Sequence, residues 1–207
     1  MVGAAFNSKV IGILRGVDKD FFAEIVDAVF SSGLQALEVT MNTDNVLSMV
    51  EENVGKVPEG VLLGVGTVRT LEEAEAAISA GAMFLVTPNL DIDVIGYAVE
   101  HEVPVVAGAL TPTEVFAAWH AGASMVKVFP CDAMGGANYI KSLLGPFDQV
   151  PLAAVGGVAI DTVGDYFRAG ARAVGVSSAL FGKEALAEKN IKKLTKNVKN
   201  FIGSVPR

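Results

Sequence analysis

The chain has 207 residues, of which 51% are hydrophobic and 19% are charged, so it can bury a substantial core. Its formal net charge of −7 provides no overall positive field to attract nucleic acid. Its apolar runs are interrupted within the length of a strand, so we expect no membrane span.

Short apolar segments recur along the chain, and each is followed by a helical pattern. The predicted strands are Val10–Leu14, Ala36–Thr40, Leu62–Thr67, Phe84–Thr87, Val105–Ala107, Met125–Phe129, Leu152–Val155 and Ala173–Val176. Alternating strands and helices are typical of a parallel α/β sheet, and eight such units favour closure into a (β/α)₈ TIM barrel.

Helix start and stop signals separate these strands. They are Asp18 or Asp20, Thr70 and Thr111 at the starts, and Gly33, Gly81 and Gly122 at the stops. The segment from Lys183 to Phe201 predicts one final amphipathic helix that packs on the barrel and turns its lysines to solvent. We find no linker, and we therefore expect a single barrel domain over residues 1–207 with a short N-terminal segment.

Lys127 lies in the sixth predicted strand, where it shares a face with Met125 and Phe129. If that face is the barrel interior, burial lowers the pKa of the lysine and supplies a neutral amine that can attack a carbonyl. The alternative is a structural lysine that reaches the strand end or pairs with a buried carboxylate. We include Phe129 among the predicted substrate-binding residues.

Glu38 lies in the second predicted strand, on one face with Ala36 and Thr40. A partly buried glutamate beside an amine can move protons during carbinolamine dehydration and C–C cleavage. The alternative is a structural ion pair between Glu38 and Lys127.

The last two strands are followed by segments of small residues. Gly156 and Gly157 follow the seventh strand, and Ser177 and Ser178 follow the eighth. Loops at these positions of a barrel often hold phosphate through backbone N–H groups, whereas glycines can also serve only tight turns. The run Gly64-Val-Gly66-Thr67 is not interpreted as a dinucleotide loop, because Arg69 stands at the third glycine position.

Further polar residues stand at strand ends or in helices. Arg15 stands at the end of the first strand and can pair with a carboxylate or phosphate, or form a rim salt bridge.

His101 and His120 lack the spacing of metal ligands, so we expect no metal site. Cys131 is interpreted as a packing residue. The single cysteine and the absence of a secretory pattern in Met1 to Phe6 favour the cytoplasm.

Several motifs between Ile11 and Leu180 occur together in one known family. They are Gly12-Ile-Leu-Arg15-Gly, Leu37-Glu38-Val-Thr, Gly64-Val-Gly-Thr67-Val, Val86-Thr-Pro88-Asn, Thr111-Pro-Thr-Glu114, Lys127-Val-Phe-Pro130, Gly145-Pro-Phe147 and Val155-Gly-Gly157-Val. With these motifs the chain resembles the bacterial 2-keto-3-deoxy-6-phosphogluconate (KDPG)/4-hydroxy-2-oxoglutarate (KHG) aldolases, which include the phosphogalactonate aldolases.

The resemblance implies a (β/α)₈ homotrimer that reversibly cleaves a phosphorylated 2-keto-3-deoxy sugar acid to pyruvate and glyceraldehyde 3-phosphate without metal or organic cofactor. It implies that Lys127 is the Schiff-base lysine and Glu38 the general acid/base. The other implied positions are Arg15, Thr67 and Pro88 in the keto-acid pocket, and Gly156, Gly157, Ser177 and Ser178 at the phosphate end.

Two departures from the gluconate-type pattern bear on the substrate. Asn42 stands where many members have arginine, and Val155 stands where they have threonine. The first removes a carboxylate-binding cation, whose part Arg15 can take, and the second replaces a hydroxyl with an apolar group. Both resemble the galactonate branch, so the galactonate epimer, and 4-hydroxy-2-oxoglutarate, are alternatives to the gluconate substrate.

Two other interpretations of the function remain open at this point. One is a phosphate-binding barrel isomerase or synthase, which would share the glycine loops and would not require an inward lysine on the sixth strand. The other is a non-catalytic barrel that binds a phosphorylated ligand, although the chain retains both Lys127 and Glu38.

Overall fold

The computed structural model of the protein describes residues 6–206, which form a closed barrel of eight parallel strands in chain order. The strands are β1 Val10–Leu14, β2 Ala36–Thr40, β3 Leu62–Gly66, β4 Leu85–Val86, β5 Val105–Ala109, β6 Met125–Val128, β7 Leu152–Val155 and β8 Ala173–Val176. The predicted (β/α)₈ fold is therefore confirmed. The predicted N-terminal segment before Phe6 lies outside the described residues.

Helices follow the strands around the outside of the barrel. They are α1 Lys19–Ser31, α2 Val46–Val54, α3 Leu71–Ser79, α4 Ile92–Glu100, α5 Pro112–His120, α6 Ala137–Leu144, α7 Val163–Arg168, α8 Ser178–Phe181, α9 Lys183–Ala187 and α10 Ile191–Ser204. A 3₁₀ helix covers Asp132–Met134. Within residues 6–206 no helix has both the length and the apolar character that a bilayer crossing requires.

The helix starts are fixed by side chains that the sequence identifies. Asp18, and not Asp20, caps α1, because its carboxylate accepts hydrogen bonds from the amides of Asp20 at 3.0 Å and Phe21 at 3.3 Å. Thr111 and Glu114 form a reciprocal capping box at α5. These bonds satisfy amides that have no partner within the helix, and they set where each helix leaves its loop.

Four strands differ by a few residues from their predicted bounds. β3 ends at Gly66 because Thr67 takes a left-handed conformation with φ 56°, which a strand cannot contain. β4 is reduced to Leu85–Val86, β5 extends to Ala109, and β6 ends at Val128. β3 and β6 each end directly before a residue predicted for the site, Thr67 and Phe129.

The predicted single C-terminal helix is wrong in its continuity. The segment forms two helices, α9 and α10, separated by a turn in which Lys189 has φ 49°. Asn190 then begins α10, because its side chain accepts a hydrogen bond from the amide of Lys193 at 3.0 Å. The amphipathic pattern itself is confirmed, since Leu194, Val198 and Phe201 are fully buried.

The core has an inner and an outer layer. The larger, outer layer lies between the barrel and its helices, where Val126 and Val128 of β6 are buried. The inner layer fills the barrel toward the amino ends of the strands and consists of Phe6, Ile11, Ala36, Phe84, Val86, Val106, Met125, Ala153 and Ala173. The next inward positions toward the carboxyl ends include Glu38, Lys127 and Gly175 beside the apolar Ile13 and Val155, and there the barrel interior opens into a cavity.

Candidate active site

Two charged side chains lie inside the barrel above the apolar inner layer. Lys127 of β6 stands in register with Gly108 of β5 and Ala153 of β7, and Glu38 of β2 stands in register with Gly64 of β3. Only 5% of Lys127 and 2% of Glu38 is exposed. The alternation of each strand therefore turns both side chains inward, as the sequence predicts.

A cavity of about 480 Å³ opens at the carboxyl ends of the strands, the end that carries the active site in barrel enzymes. All the predicted site residues line it: Arg15, Glu38, Thr67, Pro88, Lys127, Phe129, Gly156, Gly157, Ser177 and Ser178. Of the other lining residues, Val155 was noted above only as a departure from the gluconate-type pattern. The rest were not assigned from the sequence: Ile13, Val158, Ala159, Gly175, Val176 and Ala179. Most are apolar residues within a few positions of a strand end, and Ile13 could have been found by its alternation with Ile11.

The Glu38 carboxyl group lies against the backbone of β3. A Cβ on Gly66 would collide with this carboxylate, so the absence of a side chain at position 66 makes room for it. One carboxyl oxygen, Oε2, is buried and has no hydrogen-bond partner among residues 6–206. Burial raises the pKa of Glu38 from 4.5 to about 7, although the positive charges of Lys127 and Arg15 oppose the rise. The group can therefore both accept and donate a proton near neutral pH.

The Lys127 amine lies over the Phe129 ring, with Nζ 4.9 Å from the ring centroid. Burial lowers the pKa of Lys127 from its ordinary value, the negative charge of Glu38 opposes this effect, and the positive charge of Arg15 adds to it. Among the ion pairs within 4.0 Å in residues 6–206, none joins Lys127 to Glu38. The alternative of a structural ion pair is thus not what the geometry shows, and the amine faces the cavity.

Arg15 reaches across the cavity mouth from the end of β1. Its guanidinium donates to Asn42 Oδ1 at 2.7 Å and to Thr67 Oγ1 at 3.3 Å. Both partners are neutral, and within residues 6–206 the guanidinium takes part in no ion pair, so the rim salt bridge considered above does not form. The guanidinium is therefore held at the cavity by two hydrogen bonds to neutral groups and is not paired with a carboxylate of residues 6–206.

The loop after β7 is fixed by hydrogen bonds to the neighbouring backbone and to one side chain. The amide of Cys131 donates to Val155 O at 2.9 Å, and the Tyr166 hydroxyl lies 3.5 Å from Gly156 O. These contacts present Gly156 and Gly157 to the cavity, beside the segment that follows the neighbouring strand β8, in which Ser177 precedes α8.

The remaining residues considered above lie outside this cavity. His101 directly follows the outer helix α4, and His120 ends the outer helix α5. Cys131 is fully buried, and burial and the charge of Asp132 raise its thiol pKa to about 11. The predicted packing role fits this burial. In the part of the chain from residue 6 to 206, no group of three or more His, Cys, Asp or Glu side chains could hold a metal ion.

Known proteins with related sequences provide an independent line of evidence. The family model described as KDPG and KHG aldolase matches residues 4–197. A probable 2-dehydro-3-deoxy-6-phosphogalactonate aldolase of Rhizobium meliloti (strain 1021) is 36% identical, over 83% of this chain and 81% of the relative. The 2-dehydro-3-deoxy-6-phosphogalactonate aldolase of Escherichia coli (strain K12) is 33% identical, over 95% of this chain and 96% of the relative.

A solved structure adds similarity in three dimensions. The KDPG aldolase from Legionella pneumophila, with pyruvate captured at low pH as a covalent carbinolamine intermediate, superposes with a TM-score of 0.84 and 25% identity. The match covers 93% of each of the two chains. Given this similarity, the family model and the inward lysine and glutamate, the chain belongs to the KDPG and KHG aldolase family and is an aldolase, a lyase of the class that works through a Schiff base.

Proposed function

We propose that the protein reversibly cleaves 2-keto-3-deoxy-6-phosphogluconate to pyruvate and D-glyceraldehyde 3-phosphate, with Lys127 forming the Schiff base and Glu38 moving protons. The observation that carries this assignment is that a buried amine and a buried carboxyl group open to one cavity without pairing to each other. An ordinary structural pair would be closed to a ligand, whereas these two groups are free to act on one.

The first stage of the reaction joins the substrate to the enzyme. The neutral amine of Lys127 attacks the C2 carbonyl of the keto acid and forms a carbinolamine. Glu38, with a pKa of about 7, donates a proton to the carbinolamine hydroxyl, which leaves as water and gives a protonated imine. The resulting Glu38 carboxylate is then the base for the next stage.

The second stage breaks the carbon–carbon bond. Glu38 takes the proton of the C4 hydroxyl, the C3–C4 bond breaks, and its electron pair moves toward the protonated imine to leave an enamine. The C4 fragment departs as glyceraldehyde 3-phosphate. Protonation of the enamine at C3 and addition of water then release pyruvate and regenerate the Lys127 amine. No metal or organic cofactor takes part in this scheme.

The remaining lining residues provide sites for the two charged ends of the substrate. We assign Arg15 to the carboxylate, because its cation is directed by Asn42 and Thr67 and has no competing carboxylate partner in residues 6–206. Pro88 and Phe129 flank the keto-acid end near Lys127. Gly156, Gly157, Ser177 and Ser178 are assigned to the phosphate, where backbone N–H groups and hydroxyls can donate to its oxygens.

Borohydride trapping tests the proposed chemistry. The protein is incubated with pyruvate and sodium borohydride, digested, and analysed by peptide mass spectrometry. We expect a reduced pyruvyl adduct on the peptide that contains Lys127, because borohydride reduces the imine to a stable secondary amine. If folded protein gives no adduct, the proposed function is wrong, and a phosphate-binding isomerase becomes the better assignment.

The galactonate epimer is the second candidate substrate, and 4-hydroxy-2-oxoglutarate the third. Val155 lines the cavity and presents methyl groups where a threonine would present a hydroxyl. Asn42 binds Arg15, so the position that carries arginine in many gluconate-type relatives here supports another arginine. Of the two relatives quoted above, one is described as a galactonate aldolase and the other as a probable galactonate aldolase, which favours the same candidate.

Cleavage rates on the two purified epimers test this choice together with the near-isosteric variant Val155→Thr. We expect comparable kcat/KM values for wild type on both epimers, since an apolar Val155 discriminates weakly between hydroxyl configurations. A hydroxyl at position 155 is expected to change the epimer ratio by about 10- to 100-fold. A strict gluconate preference of the wild type would contradict the broader specificity.

We further propose that residues 1–207 form one domain, that the protein acts in the cytoplasm, and that it assembles as a homotrimer. Large apolar side chains remain exposed on the outer helices, with Ile92 at 50% and Phe116 at 55% exposure, and an assembly could cover them. Its partners are then small molecules and copies of the same chain, with no nucleic acid or membrane partner. Sedimentation equilibrium tests the trimer.

A further inference from the structure

Strand β4 leaves the barrel ladder after an unusually short run. It pairs with β5 only through Leu85 with Val105 and Val86 with Val106. The amide of Thr87 still donates to Val106 O at 3.2 Å, so the backbone reaches the ladder position of residue 87. In a parallel ladder that continued, the amide of Gly108 would next donate to the backbone carbonyl of Thr87.

The side chain of Thr87 takes the place of that carbonyl. The amide of Gly108 donates to Thr87 Oγ1 at 2.8 Å, and the same hydroxyl donates to Asn89 O at 2.6 Å. The threonine is fully buried, so both bonds form away from solvent. One hydroxyl thus completes the ladder for β5 and closes a turn around Pro88, which frees the backbone to leave the sheet.

The turn places Pro88 directly against β5. A Cβ on Gly108 would collide with the carbonyl carbon of Pro88 and with the amide nitrogen of Asn89, so the two backbones touch here. Gly108 is also the register partner of Lys127 on the next strand, and Pro88 lines the same cavity as Lys127. The position of the proline ring relative to the amine therefore depends on the Thr87 hydroxyl.

We propose that Thr87 is a positioning residue for imine formation: its hydroxyl holds Pro88 as the wall that places the keto-acid carbonyl against the Lys127 amine. This inference rests on the proposed function. Thr87 does not itself line the cavity, so it acts through Pro88 and Gly108. Removal of the hydroxyl lets the turn relax and moves the wall, and a displacement of about 1 Å at a reacting centre lowers the rate about 100-fold.

The test compares Thr87→Val, which keeps the shape of the side chain and lacks the hydroxyl, with Thr87→Ser, which keeps the hydroxyl. The rate of reductive trapping of pyruvate by borohydride is measured against pyruvate concentration and normalised to folded protein. We expect the maximal rate of Thr87→Val to fall about 100-fold with a smaller change in the half-saturating concentration. We expect Thr87→Ser to retain a rate close to that of wild type.

A purely structural threonine would give a different result, because its loss would lower the melting temperature and leave the rate per folded molecule unchanged. That outcome for Thr87→Val would overturn the proposal. If Thr87→Val does not fold, Pro88→Ala decides, since a wild-type trapping rate without the proline ring would equally overturn it. If wild type is trapped and Thr87→Val is trapped at the same rate, only this inference is rejected. If wild type is not trapped at all, the proposed function is rejected.

Discussion

Replacing Lys127 by methionine is expected to lower kcat for cleavage by about 10⁵-fold or more, because among residues 6–206 no other lysine lines the cavity to form the imine. Methionine has a similar length without the amine, so it should fill the same space over the Phe129 ring. Cleavage is followed by the release of pyruvate. Lys199→Met, on the exposed face of α10, is the matched control and should keep wild-type activity.

The same replacement is expected to affect stability in a direction that the pKa of Lys127 sets. Burial lowers this pKa in the folded protein, so the folded state disfavours the ammonium form that the unfolded chain carries. Lys127 therefore costs stability at neutral pH, and the cost shrinks as pH rises toward the ordinary lysine value of 10.5. Denaturant unfolding should show that the difference in unfolding free energy between Lys127→Met and wild type becomes smaller as pH rises toward 10.5.

For the activity prediction, cleavage by Lys127→Met at a rate within about tenfold of wild type would contradict the Schiff-base assignment.

Glu38→Gln is expected to lower kcat by about 10²- to 10⁴-fold, because glutamine has nearly the shape of glutamate and cannot transfer a proton. In wild type, the pH profile of kcat/KM should show an ionisation near the Glu38 pKa of about 7, and this limb should be absent from the variant. Glu51→Gln, on the exposed face of α2, is the matched control. A variant that keeps both the rate and the limb would assign proton transfer to another group.

Stability should also respond to Glu38 in a defined pH window. Its pKa is raised from 4.5 to about 7 in the folded state, so the folded protein holds a proton that the unfolded chain has lost between these values. Its contribution is therefore fully present below pH 4.5 and is lost as pH rises to about 7, by about 3 kcal/mol in total. The unfolding free energy of wild type should therefore fall relative to that of Glu38→Gln as pH rises from 4.5 to about 7. A difference that does not change with pH would contradict the raised pKa.

The sequence predicts the barrel and the inward positions of the proposed catalytic pair, because both depend on local alternation. Inward positions on β2 and β6 follow from counting every second residue, and the strands recur regularly enough to indicate eight units. The helix caps at Thr70 and Thr111 depend on contacts within one turn, and they too are found in the predicted places.

Features that depend on contacts across the barrel are not predictable in this way. The hydrogen bond from Arg15 to Asn42 joins residues 27 positions apart, and only the closure of β1 beside β2 brings them together. The left-handed backbone of Thr67 contradicts the preference of a β-branched residue, so the sequence pattern extends β3 by one residue too many. Likewise, Thr87 reads as a strand residue until its hydroxyl is seen in the ladder.

The close approaches at Gly66 and Gly108 restrict how the specificity of this barrel can change. At both positions the cavity wall behind the proposed catalytic groups is main chain, and any added side chain would displace Glu38 or Pro88. Substitutions there alter catalysis before they alter recognition. New substrates are therefore more readily accommodated by lining residues at or beyond the strand ends, such as Val155 and Ala159, so the chemistry and the selectivity of this protein can evolve separately.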